Sequence, residues 1–166
     1  MQVASNIHID PARFPADGEL VRKLFVEYSE SLGIDLAFQD FQQELVQLPG
    51  KYAPPLGDVL MARDGTGSAL GCVALRPTAM PGAGEIKRLY VRPAARGQEL
   101  GRRLAEAVIE RAREAGYARL VLDTLASMHA AQRLYMELGF RPVPPYYDNP
   151  LPGTLYMALD LRPASR

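Results

Sequence analysis

The sequence is poor in the residues from which several kinds of protein are built. It has one cysteine, Cys72, in 166 residues, which excludes an internal disulfide and suits a reducing compartment. Its two histidines, His8 and His129, are too few and too far apart to suggest a metal site, so no metal is expected. Lys plus Arg equals Asp plus Glu at 19 each, so the formal net charge is zero. Neither nucleic acid nor a membrane surface is therefore expected as a partner, and any basic site must be local. No apolar stretch approaches the roughly 20 residues of a bilayer span, and Met1 to Asp10 lacks the basic start and apolar run of a secretory leader. These absences predict a cytoplasmic protein.

What is present suits one globular domain over residues 1–166. A hydrophobic content of 48% is enough, at this length, to bury a real core. Ile7–Ile9 is a short candidate strand. Leu20, Val21, Leu24, Phe25, Tyr28 and Leu32 form one helical stripe within Pro15–Leu32, stopped by Gly33. Phe38, Phe41, Leu45 and Leu48 predict a second helix, ended by Pro49-Gly50. The proline-rich loop 51–58 carries Tyr52, expected to be exposed. Val59–Ala62 and Ala69–Leu75 predict strands joined by a hairpin at Asp64–Gly67. Ile86–Val91, a helix over 100–115, a short strand at 120–122 and a helical stripe through Ala131, Leu134, Tyr135 and Leu138 follow. After a proline-rich turn the chain closes on a half-buried strand, 154–161. The order β, α, α, β, β, β, α, β, α, β, β predicts a mixed α/β (α+β) domain with helices covering a sheet. Strands 86–91 and 119–122 are expected to flank helix 100–115 as one βαβ crossover.

The stretch Gly84–Ala115 organises the rest. A β-rich run stops at Pro93, a basic glycine-containing turn follows (Arg96–Gly101), and an amphipathic helix begins. The first N–H groups of a helix have no intrahelical partner and its dipole favours negative charge there, so this is an anion-binding device. A P-loop would need GxxxxGK followed by Ser or Thr, and a dinucleotide fingerprint GxGxxG; neither string occurs. RGQELG instead resembles the Q/R-x-x-G-x-G/A pyrophosphate loop of the GCN5-related N-acetyltransferases (the GNAT superfamily), at Arg96 and Gly101. EIKRLYVRP upstream is similar to that family's central strand, and Ala131, Leu134, Tyr135, Gly139 and Phe140 to its fourth-helix motif A-x-x-L-Y-x-x-x-G-F. The resemblance is strong over residues 84–141. Two positions depart from it: the family's inner glycine falls on Glu99, and an asparagine often found before the fourth helix falls on Met128.

The resemblance implies a mostly antiparallel central sheet with splayed central strands, and an acetyl group moved from acetyl-CoA to a primary amine of a small molecule or peptide by direct attack in a ternary complex. It places the pantetheine arm along Leu89, Tyr90 and Val91, and the pyrophosphate on the amides of Gly97, Gln98, Glu99, Leu100, Gly101 and Arg102, with Arg96 beside them. Arg88, Arg92, Arg96, Arg102 and Arg103 would give the local positive charge. An alkylammonium with a pKa near 10 must lose a proton before it attacks, and Glu85 lies where related histone acetyltransferases carry a general base. Its pKa is expected to be raised toward neutrality by partial burial. A strand amide near Tyr90 would donate to the oxyanion, and Tyr135 matches the family's usual general acid.

Each role has a plainer rival. Tyr135 lies on an apolar stripe and would serve as core; Glu85 would pair with an arginine; Cys72 would pack. Tyr52, Tyr146, Tyr147 and Asp148 are candidates for an aromatic, mildly acidic amine site, against the reading that prolines and tyrosines 142–152 only stiffen a loop. A protein that binds acyl-CoA without turnover is the alternative function. A homodimer is open, with strand 154–161 as a candidate interface.

Overall fold

The computed structural model describes residues 6–161, apart from the side chains of residues 38 and 39, so the reading of Phe38 as a stripe residue lies outside it. Seven strands form one sheet: β1 (His8–Pro11), β2 (Asp58–Arg63), β3 (Ala69–Pro77), β4 (Ala83–Val91), β5 (Arg119–Thr124), β6 (Arg141–Val143) and β7 (Leu155–Asp160). Their order across the sheet is β1-β2-β3-β4-β5-β7-β6. Every neighbouring pair is antiparallel except β4 and β5, which run parallel. The helices are α1 (Gly18–Leu32), α2 (Phe41–Gln47), α3 (Leu100–Ala115) and α4 (His129–Glu137). Parallel strands need a long crossover, and α3 supplies it between β4 and β5 as the sequence predicts.

Alternate residues of β3 enter two different cores. Val73 and Leu75 pack with Leu104, Val108 and Ala112 of α3, whereas Cys72 and Ala74 pack with Val21, Leu24 and Phe25 of α1. A sheet covered on both faces requires a continuous apolar run rather than alternation, which is what 72–75 provides. Cys72 is fully buried, its thiol pushed up to about 12 by that burial, so it packs rather than reacts. Among the described residues no helix is long and apolar enough to cross a membrane.

Four expectations are corrected. The first helix begins at Gly18, not Pro15, because Asp17 closes a turn by accepting from the Arg13 amide at 2.8 Å and the Arg63 guanidinium at 2.9 Å. The second breaks into a 3-10 turn, Leu36–Gln39, and α2, separated by Asp40 at φ 55°. Tyr52 is buried, not exposed, and meets the edge of the Phe25 ring at 5.8 Å. The closing strand is not half-buried: Tyr156, Met157 and Ala158 are all buried, because Tyr146 and Tyr147 close over Tyr156 at 5.3 and 5.7 Å. That strand, β7, lies between β5 and β6, with β6 pairing only its residues Tyr156–Ala158; the sheet's edge strands are β1 and β6.

Candidate active site

β4 and β5 pair only at Ala83–Arg119, Gly84–Leu120 and Glu85–Val121. Beyond Glu85, β4 runs on against β3 while β5 runs on against β7, so a slot opens between them. A β-bulge lies in β4 just past the parting. Cys72 faces Tyr90 but Ala74 faces Lys87, which leaves Arg88 and Leu89 together opposite Val73. Arg88 takes φ 61°, a conformation bulky side chains rarely adopt. Its guanidinium is held on the far side of the sheet by a forked pair with Glu44: Nε to Oε2 at 2.9 Å and Nη2 to Oε1 at 2.8 Å. The Phe41 ring lies under the same guanidinium at 5.1 Å.

The slot is walled by Ile86, Lys87 and Leu89 of β4, by Leu122, Asp123 and Thr124 of β5, and by Met128, Ala131 and Tyr135 on the α4 side. The cavity in it measures about 50 Å³. Burial pushes the Tyr135 phenol well above its ordinary value, so it stays protonated, and its ring meets Phe140 edge-on at 5.3 Å. Thr124 is buried on the same wall, and its hydroxyl has no partner among the described residues. An orphaned hydroxyl and an unpaired strand edge suit an amide-bearing chain laid along β4.

At the top of the slot the chain passes through a 3-10 turn, Pro93–Ala95, into the loop before α3. Arg96 ties this loop back by donating from Nε to the Val91 carbonyl at 3.1 Å. Among the described residues, no backbone N–H from Gly97 to Arg102 donates to a protein acceptor; the first helical bond runs from Arg103 to the Glu99 carbonyl at 3.1 Å. Glu99 caps α3 at φ 58°, the left-handed conformation that glycine adopts without cost, so the departure from glycine is absorbed as backbone strain. Its side chain turns outward, 78% exposed, with Arg102 Nε 3.7 Å away. The expected cluster of five arginines is not assembled here. Arg88 is committed to Glu44, and Arg92 to Glu27 at 2.8 Å and to the Ala69 carbonyl at 3.0 Å. Arg96, Arg102 and Arg103 remain near the loop, with Arg102 also paired to Glu137 and Arg103 donating to the Ile7 carbonyl at 3.3 Å.

A second, larger cavity of about 800 Å³ opens beside Glu85, lined by α2, the turn after it, the end of β3 and the two tyrosines 146 and 147. Lys87 lines both this cavity and the slot. Glu85 is buried and fully engaged: Arg76 Nε donates to Oε1 at 2.9 Å and the Tyr146 hydroxyl to Oε2 at 2.7 Å. The upward shift expected of it is reversed. Burial alone would raise its pKa, but the Lys87 and Arg76 charges and the Tyr146 hydrogen bond outweigh burial and hold it below the usual carboxylate value. Lys87 is itself pulled down by burial, against the raising effect of Glu85 and Asp123.

Several site residues were not read from the sequence. Asp123 accepts from the Tyr147 hydroxyl and, at 3.2 Å, from Asn149, and lies 3.9 Å from Lys87 Nζ. Its signal was an acid inside a short apolar strand. Glu44 showed the same sign, an acid flanked on its helix by the apolar stripe residues Phe41 and Leu45. Tyr146 and Tyr147 do more than stiffen a loop, since both hydroxyls reach buried carboxylates, whereas Asp148 is exposed and lines neither cavity.

A sheet split at one parallel pair, a helix N-terminus with unspent amides above the split, and a buried phenol within it together form one site, and this architecture has known counterparts. The acetyltransferase (GNAT) family model matches residues 19–140, and the chain belongs to that family. It is 45% identical over 161 residues to an uncharacterized N-acetyltransferase of Schizosaccharomyces pombe, covering 97% of this chain and 99% of the relative. Among solved structures, a GNAT-family acetyltransferase from Staphylococcus aureus superposes with a TM-score of 0.77 at 20% identity, covering 94% of this chain and 99% of the other. A Salmonella typhimurium protein solved with its cofactor acetyl-CoA superposes with a TM-score of 0.66 at 22% identity, covering 96% of each chain.

Proposed function

We propose that this chain is an N-acetyltransferase that uses acetyl-CoA and acetylates a primary amine of a small molecule or peptide by direct attack. The observation that carries the reading is the pair of cavities meeting at Lys87, one in the β4–β5 slot and one beside Glu85. Two reactants held in cavities that share one lining side chain would react without a covalent enzyme intermediate, and Cys72 is buried and lines neither cavity. When bound, acetyl-CoA supplies a thioester whose carbon takes the amine and whose sulfur departs as a thiolate.

Leu89, Tyr90 and Val91 would hold the pantetheine arm along the open edge of β4. The unspent amides of Gly97, Gln98, Glu99, Leu100, Gly101 and Arg102, with Arg96, would take the pyrophosphate. Tyr135, kept protonated by burial, would hold the proton that the departing sulfur needs. A strand amide near Tyr90 and the Lys87 charge would favour the oxyanion. Glu85, held charged, is better suited to fixing Arg76 and Tyr146 at the acceptor cavity than to a strong base, since proton affinity falls with pKa. As a base, it would act through a water.

That same lowered Glu85 pKa favours one alternative, an acyl-CoA-binding protein without turnover. Calorimetry with acetyl-CoA, run beside a CoA-release assay over amine, amino-acid and peptide panels, separates the two. Binding with CoA release above hydrolysis supports the transferase; binding with none on any panel supports the sensor.

A further inference from the structure

The acceptor cavity has an uneven supply of unused hydrogen-bonding groups. Both oxygens of each buried acid already accept one bond: those of Glu44 from Arg88, and those of Glu85 from Arg76 and Tyr146. The cavity's donors are less fully used. A guanidinium has five N–H groups in a planar fork, and Arg76 gives only Nε to Glu85 at 2.9 Å; among the described residues no hydrogen bond leaves its two Nη nitrogens. Its side chain keeps 21% of its surface exposed while lining the cavity. Tyr52 lines the same cavity at 2% exposure, and its hydroxyl makes no well-formed hydrogen bond. Burial raises that hydroxyl's pKa most; the Arg88 charge opposes the rise, and the Glu44 carboxylate adds to it by its charge and a weak hydrogen bond.

We infer that the acceptor amine carries a carboxylate, held by the Arg76 Nη groups and the Tyr52 hydroxyl, with its amine turned toward Lys87 and the slot. The inference rests on the transferase reading above for the amine end, and on the cavity alone for the carboxylate end. A carboxylate is the group that a guanidinium fork matches bidentately, and a buried hydroxyl without a well-formed bond gains most from a charged acceptor. Ionisable side chains around the cavity balance, with Asp40, Glu44 and Glu85 against Lys51, Arg76 and Lys87. A zwitterion suits such a lining better than a polycation or a polyanion. The site is therefore not the mildly acidic one expected from Tyr146, Tyr147 and Asp148; it recognises the acceptor's negative end.

The test uses the full chain with glycine, phenylalanine, glutamate and a set of dipeptides, each matched with its C-terminal amide. Amidation lowers the pKa of a neighbouring amine and so favours attack, which biases the comparison against the proposal. Two readouts are taken: CoA release with acetyl-CoA present, and ligand-observed NMR binding without it. The expected result is that acids bind and react about tenfold or more better than their amides, as buried polar recognition of a missing charge allows. Tyr52→Phe and Arg76→Lys should lose that preference by weakening the acids alone. Tyr52→Phe removes a hydroxyl that makes no well-formed hydrogen bond, so the variant should fold. Acids that bind selectively without being acetylated keep the carboxylate site and sink the transferase reading. Acids and amides acetylated alike do the reverse. No binding of any acid, or acid binding untouched by both substitutions, overturns the proposal.

Discussion

The Tyr146 hydroxyl donates to the buried Glu85 carboxylate at 2.7 Å, joining the loop after β6 to the strand on which the two cavities meet. This bond, with the Arg76 pair, explains why Glu85 stays charged in a buried site. It also sets a pH dependence. The folded-state pKa of Glu85 lies below its ordinary value of 4.5, so the unfolded chain takes up this proton first as pH falls. The stabilisation is therefore complete above about pH 5 and is lost as pH drops through the folded value. Glu85→Gln should cost about 1–3 kcal/mol at pH 7 and show a smaller loss of stability between pH 5 and pH 3 than the parent. Urea unfolding midpoints across that range measure both.

Tyr135→Phe separates core from chemistry. The ring packs on Phe140, and that contact survives the substitution. If Tyr135 supplies the leaving-group proton, kcat should fall about 10²–10⁴-fold while the KM for acetyl-CoA and the unfolding midpoint change little. A variant with normal kcat would reduce Tyr135 to a core residue.

Glu99 holds a left-handed backbone at the mouth of the candidate pyrophosphate loop. Glu99→Gly should relieve strain of about 1–2 kcal/mol, partly offset by the greater freedom of glycine in the unfolded chain, for a net gain of about 1 kcal/mol or less. It also removes a negative charge from the loop, so acetyl-CoA should bind more tightly, with the gain shrinking as salt is added. Calorimetry at two ionic strengths, with thermal unfolding, reads both effects.

Gly101 is required by neither backbone conformation nor packing. A Cβ there would lie 4.0 Å from Leu134 and Val91, ordinary contact, and no positive φ is involved. Gly101→Ala should therefore leave stability unchanged or raise it by up to about 1 kcal/mol through helix propensity. Weaker acetyl-CoA binding in the same variant would locate the pyrophosphate against this residue; unchanged binding would move it elsewhere.

Much of the scaffold was legible because it is written in local patterns. The stripe Leu104, Val108, Ala112, the hairpin at Asp64–Gly67 and the loop into α3 each follow from spacing over a few residues. What was missed lies in pairings between distant segments. That Glu85 meets Tyr146, that Asp123 meets Tyr147 and that Arg88 meets Glu44 depends on which strands part and where β4 bulges. The same distance defeated the arginine count. Five basic residues near one turn read as one patch, yet the alternation and bulge of β4 send Arg88 and Arg92 to acids on other helices.

The pair Arg88–Glu44 gives the clearest measure of how much such a pairing is worth. Both side chains are nearly buried, at 2% and 9% exposure, so removing either leaves a charge that water cannot reach. Arg88→Met or Glu44→Gln alone should cost about 3–5 kcal/mol. The Arg88→Met/Glu44→Leu double variant should recover most of that loss, because an apolar pair beside Phe41 and Tyr28 replaces the desolvated charges. Since Arg88 also holds the left-handed turn of the bulge, the double variant should fold yet lose geometry at the slot, seen as weaker acetyl-CoA binding at restored stability. Full recovery of both would show that the bulge is set by the strand register alone and that the ion pair only satisfies it.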